Sequence, residues 1–249
     1  MTMAQSPSLL RRIGGGSGAV AAFVLLCVMF AIYALHEPSA LSLFGIGNLL
    51  NNTVVLAVAA IGLTLVVLGG ELDLSGPGVI AIGNVVVATT STGSLGTLGS
   101  LAAVLAIGAV VGAVNGFMVA YLRLQSLAVS LGTLIACQGV ALLILSAPGG
   151  EVADAIADGL TGDVYGIPSP AIVLAAAAAL WLLLRQSRMG IALYAVGTDE
   201  AAARLSGLNV RTTKMFAFVA AGICYAFAGY VYSAEIGRAS CRERVSCCV

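Results

Sequence analysis

Seven runs of apolar residues, separated by short polar or glycine-rich stretches, set the pattern of this chain. They lie near Ala19 to Leu35, Asn52 to Leu68, Pro77 to Ala88, Leu101 to Leu122, Leu127 to Leu145, Ile167 to Leu184 and Met215 to Val231. A run of about twenty apolar residues crosses a bilayer as a helix, and a shorter one can do so when neighbours bury it. The pattern predicts an all-α polytopic transmembrane helical bundle. Composition agrees: 60% of the residues are hydrophobic, 9% are charged, and the mean hydropathy is +1.06, beyond the range of a soluble domain. Arg11 and Arg12 precede the first run, but no small-x-small cleavage site follows it, so it reads as an uncleaved helix rather than a signal peptide.

Charge matters here by placement, since Lys plus Arg and Asp plus Glu both number 11. The balance, and the lack of a basic run with interleaved aromatics, argue against a nucleic-acid partner. Apart from three arginines near the C-terminus, the basic residues fall at Arg11 and Arg12, at Arg123, and at Arg185, Arg188, Arg204, Arg211 and Lys214. The positive-inside rule makes those segments cytoplasmic. Counting the spans puts all three on one side, together with Gly69 to Gly76. The opposite loops carry Glu37 and then Glu151, Asp154, Asp158 and Asp163, without a Lys or Arg. The expected topology is a multi-pass protein with its N-terminus in the cytoplasm.

Cys27, Cys137 and Cys224 sit inside apolar runs and read as packing residues; Cys241, Cys247 and Cys248 lack metal-site spacing. Gly108, Gly112 and Gly116 recur every four residues and line one helix face for close approach by another helix. Asn84 and Asn115 are amides within apolar runs, and each needs a partner inside the bundle.

Two segments stand out as candidate functional sites. Gly69, Gly70, Glu71, Asp73, Ser75, Gly76 and Pro77 interrupt two apolar runs and should break the helix. Such a break borders the substrate path in many transporters; it also fits an interfacial turn with Glu71 and Asp73 in cytoplasmic water. The second segment, Gly197 to Val210, reads as a short helix with its own caps. Thr198 or Asp199 caps its start, Glu200 suits its positive end, and Gly207 takes the left-handed position after it. Two turns are unstable alone, so this helix packs against its own domain, the membrane surface or a partner protein.

No catalytic set, metal cluster or Walker-type GxxxxGK[ST] sequence appears, and the lone histidine, His36, lies at a span end. The chain is expected to bind no cofactor or metal and not to hydrolyse ATP itself.

Three blocks carry a family resemblance: GGELDLSGPGVIAIG at Gly69 to Gly83, GAVNGFMVAYLRLQSLAVSLGTL at Gly112 to Leu134, and GIALYAVGTDEAAARLSGLNVRTTKMFAF at Gly190 to Phe218. With their spacing they cover nearly all of Leu49 to Ala234. The chain resembles the ribose-type permeases of ABC importers, in the superfamily shared with branched-chain amino-acid permeases. The resemblance implies roughly ten spans in all, on the order of twenty residues for a typical one. It implies a permease dimer, homo- or heteromeric, in a bacterial inner membrane, with a periplasmic binding protein outside and two ATPases beneath. The solute would be small and polar, a monosaccharide such as ribose.

By the same resemblance, Asp199, Glu200, Ala201, Ala202, Arg204, Leu205, Ser206 and Gly207 form the coupling helix that docks into the ATPase. The first block departs from the family's usual GGIDLS step at Glu71 and at Gly76-Pro77. An ion-coupled secondary transporter is the alternative, but it calls for titratable residues at span centres, which are not seen.

After Ala234 the pattern turns polar and puts Arg238, Arg242 and Arg244 on the expected outer side. The string from Glu235 resembles the translation of a short-read sequencing adapter. Residues 1–234 are therefore expected to be a partial permease domain, and residues 235–249 a non-native tail.

Overall fold

The structure is a computed structural model that describes residues 9–37, 41–93, 95–147, 149–164 and 167–246. Cys247 and Cys248, part of the predicted tail, lie outside the described residues. The chain divides into two compact units, Met1–Leu49 and Leu50–Val249. The first holds helix α1 (Leu9–His36) and the opening turns of α2 (Leu43–Leu68).

The second unit continues α2 and adds α3 (Gly76–Thr90), α4 (Gly96–Ala120), α5 (Ser126–Ile144), α6 (Asp154–Thr161), α7 (Ser169–Gln186), α8 (Arg188–Thr198), α9 (Glu200–Leu205) and α10 (Val210–Ser246). A two-residue antiparallel pairing joins β1 (Asp163–Val164) to β2 (Ile167–Pro168). Each of the seven predicted spans falls on a helix. Five are long and apolar enough to cross a membrane, and the apolar part of α1, Val20–His36, and α3 are shorter.

The sequence reading treated residues 185–214 as a basic loop holding one short helix. The structure places α8 there as well, its start capped by Ser187, whose Oγ accepts from Gly190 N at 3.1 Å. Helix α6 also went unforeseen. Its eight residues are too few to register against the acidic loop around them. The last helix runs from Val210 to Ser246 without a break at Ala234. The reading of residues 235–249 as foreign therefore rests on their sequence alone.

Lipid tails are as apolar as leucine, so helices in a bilayer associate by close packing rather than by hydrophobic burial. The α4–α10 seam shows how. A Cβ at Gly108 would run into Gly222 O and Ala226 Cβ, one at Gly112 into Phe218 O and one at Gly116 into Met215 Sδ. The predicted glycine face thus meets α10 backbone to backbone. From the other side, α3 packs on α10, where a Cβ at Gly229 would lie 2.6 Å from Ile80 O. Phe218, Ala221, Tyr225 and Ala226 of α10 are buried in the resulting core with Val79, Val87 and Val104.

The intramembrane amides find partners. Ser233 Oγ donates to Asn84 Oδ1 at 2.8 Å, joining α10 to α3. Asn115 bonds to two neighbours described below.

Gly112→Leu is expected to force α4 from α10 and to destabilise the fold by roughly 3 kcal/mol or more. Thermal unfolding of the detergent-solubilised protein checks this; an unchanged midpoint contradicts the seam.

Candidate functional site

The break forms where the sequence places it. Helix α2 ends at Leu68, and Gly70 takes a left-handed φ of +81° that a side chain would strain. Residues 71–75 are non-helical, and α3 opens at Gly76 with Pro77 in its first turn, where a missing N–H does no harm. The fifteen residues of α3 rise only about 22 Å, short of a hydrocarbon core of about 30 Å. The break turns alternate side chains inward: Asp73 and Ser75 are buried in protein, while Leu72 and Leu74 are exposed. Asp73 is 4% exposed and Ser75 2%.

A polar chain secures it. Ser75 N and Ser75 Oγ donate to Asp73 Oδ1 at 2.9 and 2.6 Å. Asn115 Nδ2 of α4 donates to Ser75 Oγ at 3.2 Å, and Thr133 Oγ1 of α5 donates to Asn115 Oδ1 at 2.6 Å. Leu72 N donates to Ser126 Oγ at 3.3 Å. The break is thereby bonded to α4 and α5. The Tyr225 hydroxyl is buried beside this segment with no hydrogen-bond partner, and a Cβ at Gly76 would touch its ring at 3.2 Å.

Helix α9 has the caps the sequence predicted. Asp199 Oδ1 accepts from Ala201 N at 2.9 Å and Ala202 N at 3.0 Å, which makes Asp199 rather than Thr198 the N-cap. At the other end Gly207 has φ +83°; Gly207 N donates to Arg204 O at 3.1 Å and Leu208 N to Ala203 O at 3.1 Å. Those two bonds are the Schellman pattern. Ala203 is buried in a small cluster with Val196 and Val210, against which Leu208 packs. Ala201, Ala202, Arg204 and Ser206 are exposed, and Leu205 is 89% exposed.

The two sites, far apart in sequence, meet at Lys214. Its Nζ donates to Glu71 Oε1 at 2.7 Å and to Glu200 Oε2 at 2.9 Å, while Arg204 Nη2 donates to Glu200 Oε1 at 2.8 Å. Sequence reasoning used Lys214 only to assign a side of the membrane. Nothing in a linear sequence pairs residue 71 with residue 214. The hydrogen bond from Lys214 is the main reason the Glu200 carboxyl is held below its ordinary range. An open cavity of about 680 Å³ beside this bridge is lined by Glu71, Arg123, Leu205 and Arg211 among others. Arg123 turns from α4 into α5 with φ +57°, and among the described residues no other side-chain-bearing residue has positive φ. Arg211 lies over the Tyr121 ring, 5.8 Å from its centroid. At the other end of these helices a second cavity of about 850 Å³ is lined by Asn84, Ser91, Thr97 and Glu151 among others.

Among the described residues no group of His, Cys, Asp and Glu is placed to hold a metal ion. Non-helical backbone buried among apolar helices, with cavities at both ends of the bundle, is the construction of a membrane transport protein. Comparison with known proteins narrows the class. The family model described as the permease component of a branched-chain amino acid transport system matches residues 45–246. The chain is 31% identical over 230 residues to the ribose import permease of Haemophilus influenzae, covering 90% of this chain and 71% of that one. It is 31% identical over 222 residues to the ribose import permease of Escherichia coli K12, covering 87% and 69%. Against the galactose/methyl galactoside import permease of Salmonella typhimurium it is 28% identical over 239 residues, covering 88% and 71%. No solved structure matches the chain. The chain belongs to this permease family, whose members named here are transport subunits and not enzymes.

Because the Glu200 carboxyl is held low, its bridge stabilises α9 fully above the ordinary glutamate range and loses that contribution as pH falls through the lowered value. Amide-exchange protection of residues 200–206 is expected to fall below about pH 4. Protection that stays constant as pH is lowered through and well below the ordinary glutamate range contradicts the bridge.

Proposed function

We propose that the chain is the transmembrane permease subunit of an ATP-driven importer for a small polar solute, a monosaccharide such as ribose. The names of the relatives support the solute class, since those proteins import ribose and galactosides. The observation that carries the coupling role is α9: capped at both ends, anchored inward by Ala203 and presenting Leu205 outward. A short helix pinned by its caps yet bare on one face is built to be covered by a partner.

In this reading α9 faces the cytoplasm with Arg123, Arg188 and Arg211, and docks on an ATPase subunit through Ala201, Ala202, Arg204, Leu205 and Ser206. The N-terminus is cytoplasmic, and the protein sits in the bacterial inner membrane. A second permease subunit completes a dimer, a periplasmic binding protein delivers solute to the opposite face, and the buried break from Gly69 to Pro77 borders the path between them. ATP is hydrolysed on the partner, and this chain binds no cofactor. The ion-driven alternative has no observation in its favour.

Leu205→Glu should leave the permease folded, because the side chain it alters is exposed, yet reduce ATPase co-purification and ribose uptake by about tenfold or more, as loss of a central apolar anchor does. Deleting Asp199 to Gly207 should abolish both. Uptake that survives the deletion overturns the assignment.

We also propose that residues 235–249 are foreign to this permease. Source DNA read through the codon for Ala234 is expected to depart from the sequence given after that point; a genomic frame encoding Glu235 to Val249 unchanged overturns this.

A further inference from the structure

The bridge at Lys214 joins two segments that otherwise belong to different parts of the second unit. Glu71 lies in the break ahead of α3, Glu200 opens α9, and Lys214 stands one turn into α10. The Lys214 and Glu71 side chains are 14% and 19% exposed, so this contact is shielded from water and salt. Glu200 is 44% exposed, and its contact is the looser of the two.

One ammonium serves two carboxylates, so removing it leaves two like charges facing each other in a half-buried site. A second, uncharged contact runs alongside. Gly197, at the end of α8, lies so close to the end of α2 that a Cβ there would meet Leu68 O, and a Cβ at Gly70 would lie 3.6 Å from Gly197 Cα. Beyond the break, Asp73 and Ser75 continue the connection through Asn115 to α4 and through Thr133 to α5.

We propose that Lys214 is a positioning residue: by holding Glu71 and Glu200 together it makes the break before α3 and the surface helix α9 move as one body. This rests on the importer reading for its consequence, which is that displacement of α9 by an ATPase reaches the helices around the path through the break. It rests on geometry alone for the linkage.

The two parts are tested separately on the full chain. First, amide exchange is measured on the detergent-solubilised permease. Glu71→Gln should speed exchange in residues 200–206 as well as near its own site, and Glu200→Gln should speed exchange in residues 71–75. Lys214→Met should do both, by about fivefold, the low end of an ordinary coupling between sites. Lys214→Arg, which can still bond both carboxylates, should stay near the parent. Exchange that quickens only around the altered residue overturns the linkage. Because this arm needs neither ATP nor ribose, its failure is separable from failure of the importer reading.

Second, the permease assembled with its ATPase and binding protein in vesicles is assayed for ribose moved per ATP hydrolysed. Glu71→Gln and Lys214→Met should lower that ratio by about fivefold, and Lys214→Arg should restore it. Linked exchange with an unchanged ratio overturns the transport role.

Discussion

A polypeptide inside hydrocarbon has no water to bond its amides and carbonyls, so backbone that leaves the helix must be covered by protein. The break between Leu68 and Gly76, whose Asp73 and Ser75 are buried between helices, is where this chain answers that constraint with side-chain bonds. Asn115 and Thr133 bring side-chain bonds from α4 and α5, and Ser126 supplies an acceptor for Leu72 N. Tyr225 of α10 covers Gly76. For α10 to come so near, α4 and α3 must present glycines, which is the purpose of Gly108, Gly112, Gly116 and Gly83. Packing and polar satisfaction meet at α4, which gives Asn115 to the break and its glycine face to α10.

The face around α9 follows different physics. Its elements are short, partly exposed and tied by caps, ion pairs and a small apolar cluster of Val196, Ala203 and Val210. Such segments lie toward the low-stability end of a fold and are the ones able to move. The Lys214 bridge joins this looser layer to the buried break, which sits in the tightest part of the structure. A transport subunit driven from outside the membrane needs that combination of a yielding contact surface and a rigid connection inward.

The glycine-spaced face of α4 was legible because helical period alone puts Gly108, Gly112 and Gly116 on one side, although the partner they meet was not. The caps of α9 were legible because Asp199 and Gly207 act within a few residues of themselves. Helix α8 was not, because its apolar run, Met189 to Gly197, is too short to read as a span, and its packing on the end of α2 is a long-range event. The water-exposed alternative for Asp73 was open in the sequence. A carboxylate beside glycines reads as surface; its partner Ser75 lies in the same segment, and only the fold shows that Ser75 is in turn bonded by Asn115 of another helix.

By itself, then, the sequence determined the fold class, the helices that carry its apolar runs, the position of the break and the caps of the surface helix. These depend on local composition and on periods that a linear reading contains. The tertiary structure alone decided that Asp73 and Ser75 of the break are buried, that α10 is the helix received by the glycine face, and that Lys214 joins Glu71 to Glu200. Those facts depend on which distant residues come within about 3 Å of one another, and chain order says nothing of that until the helices have packed.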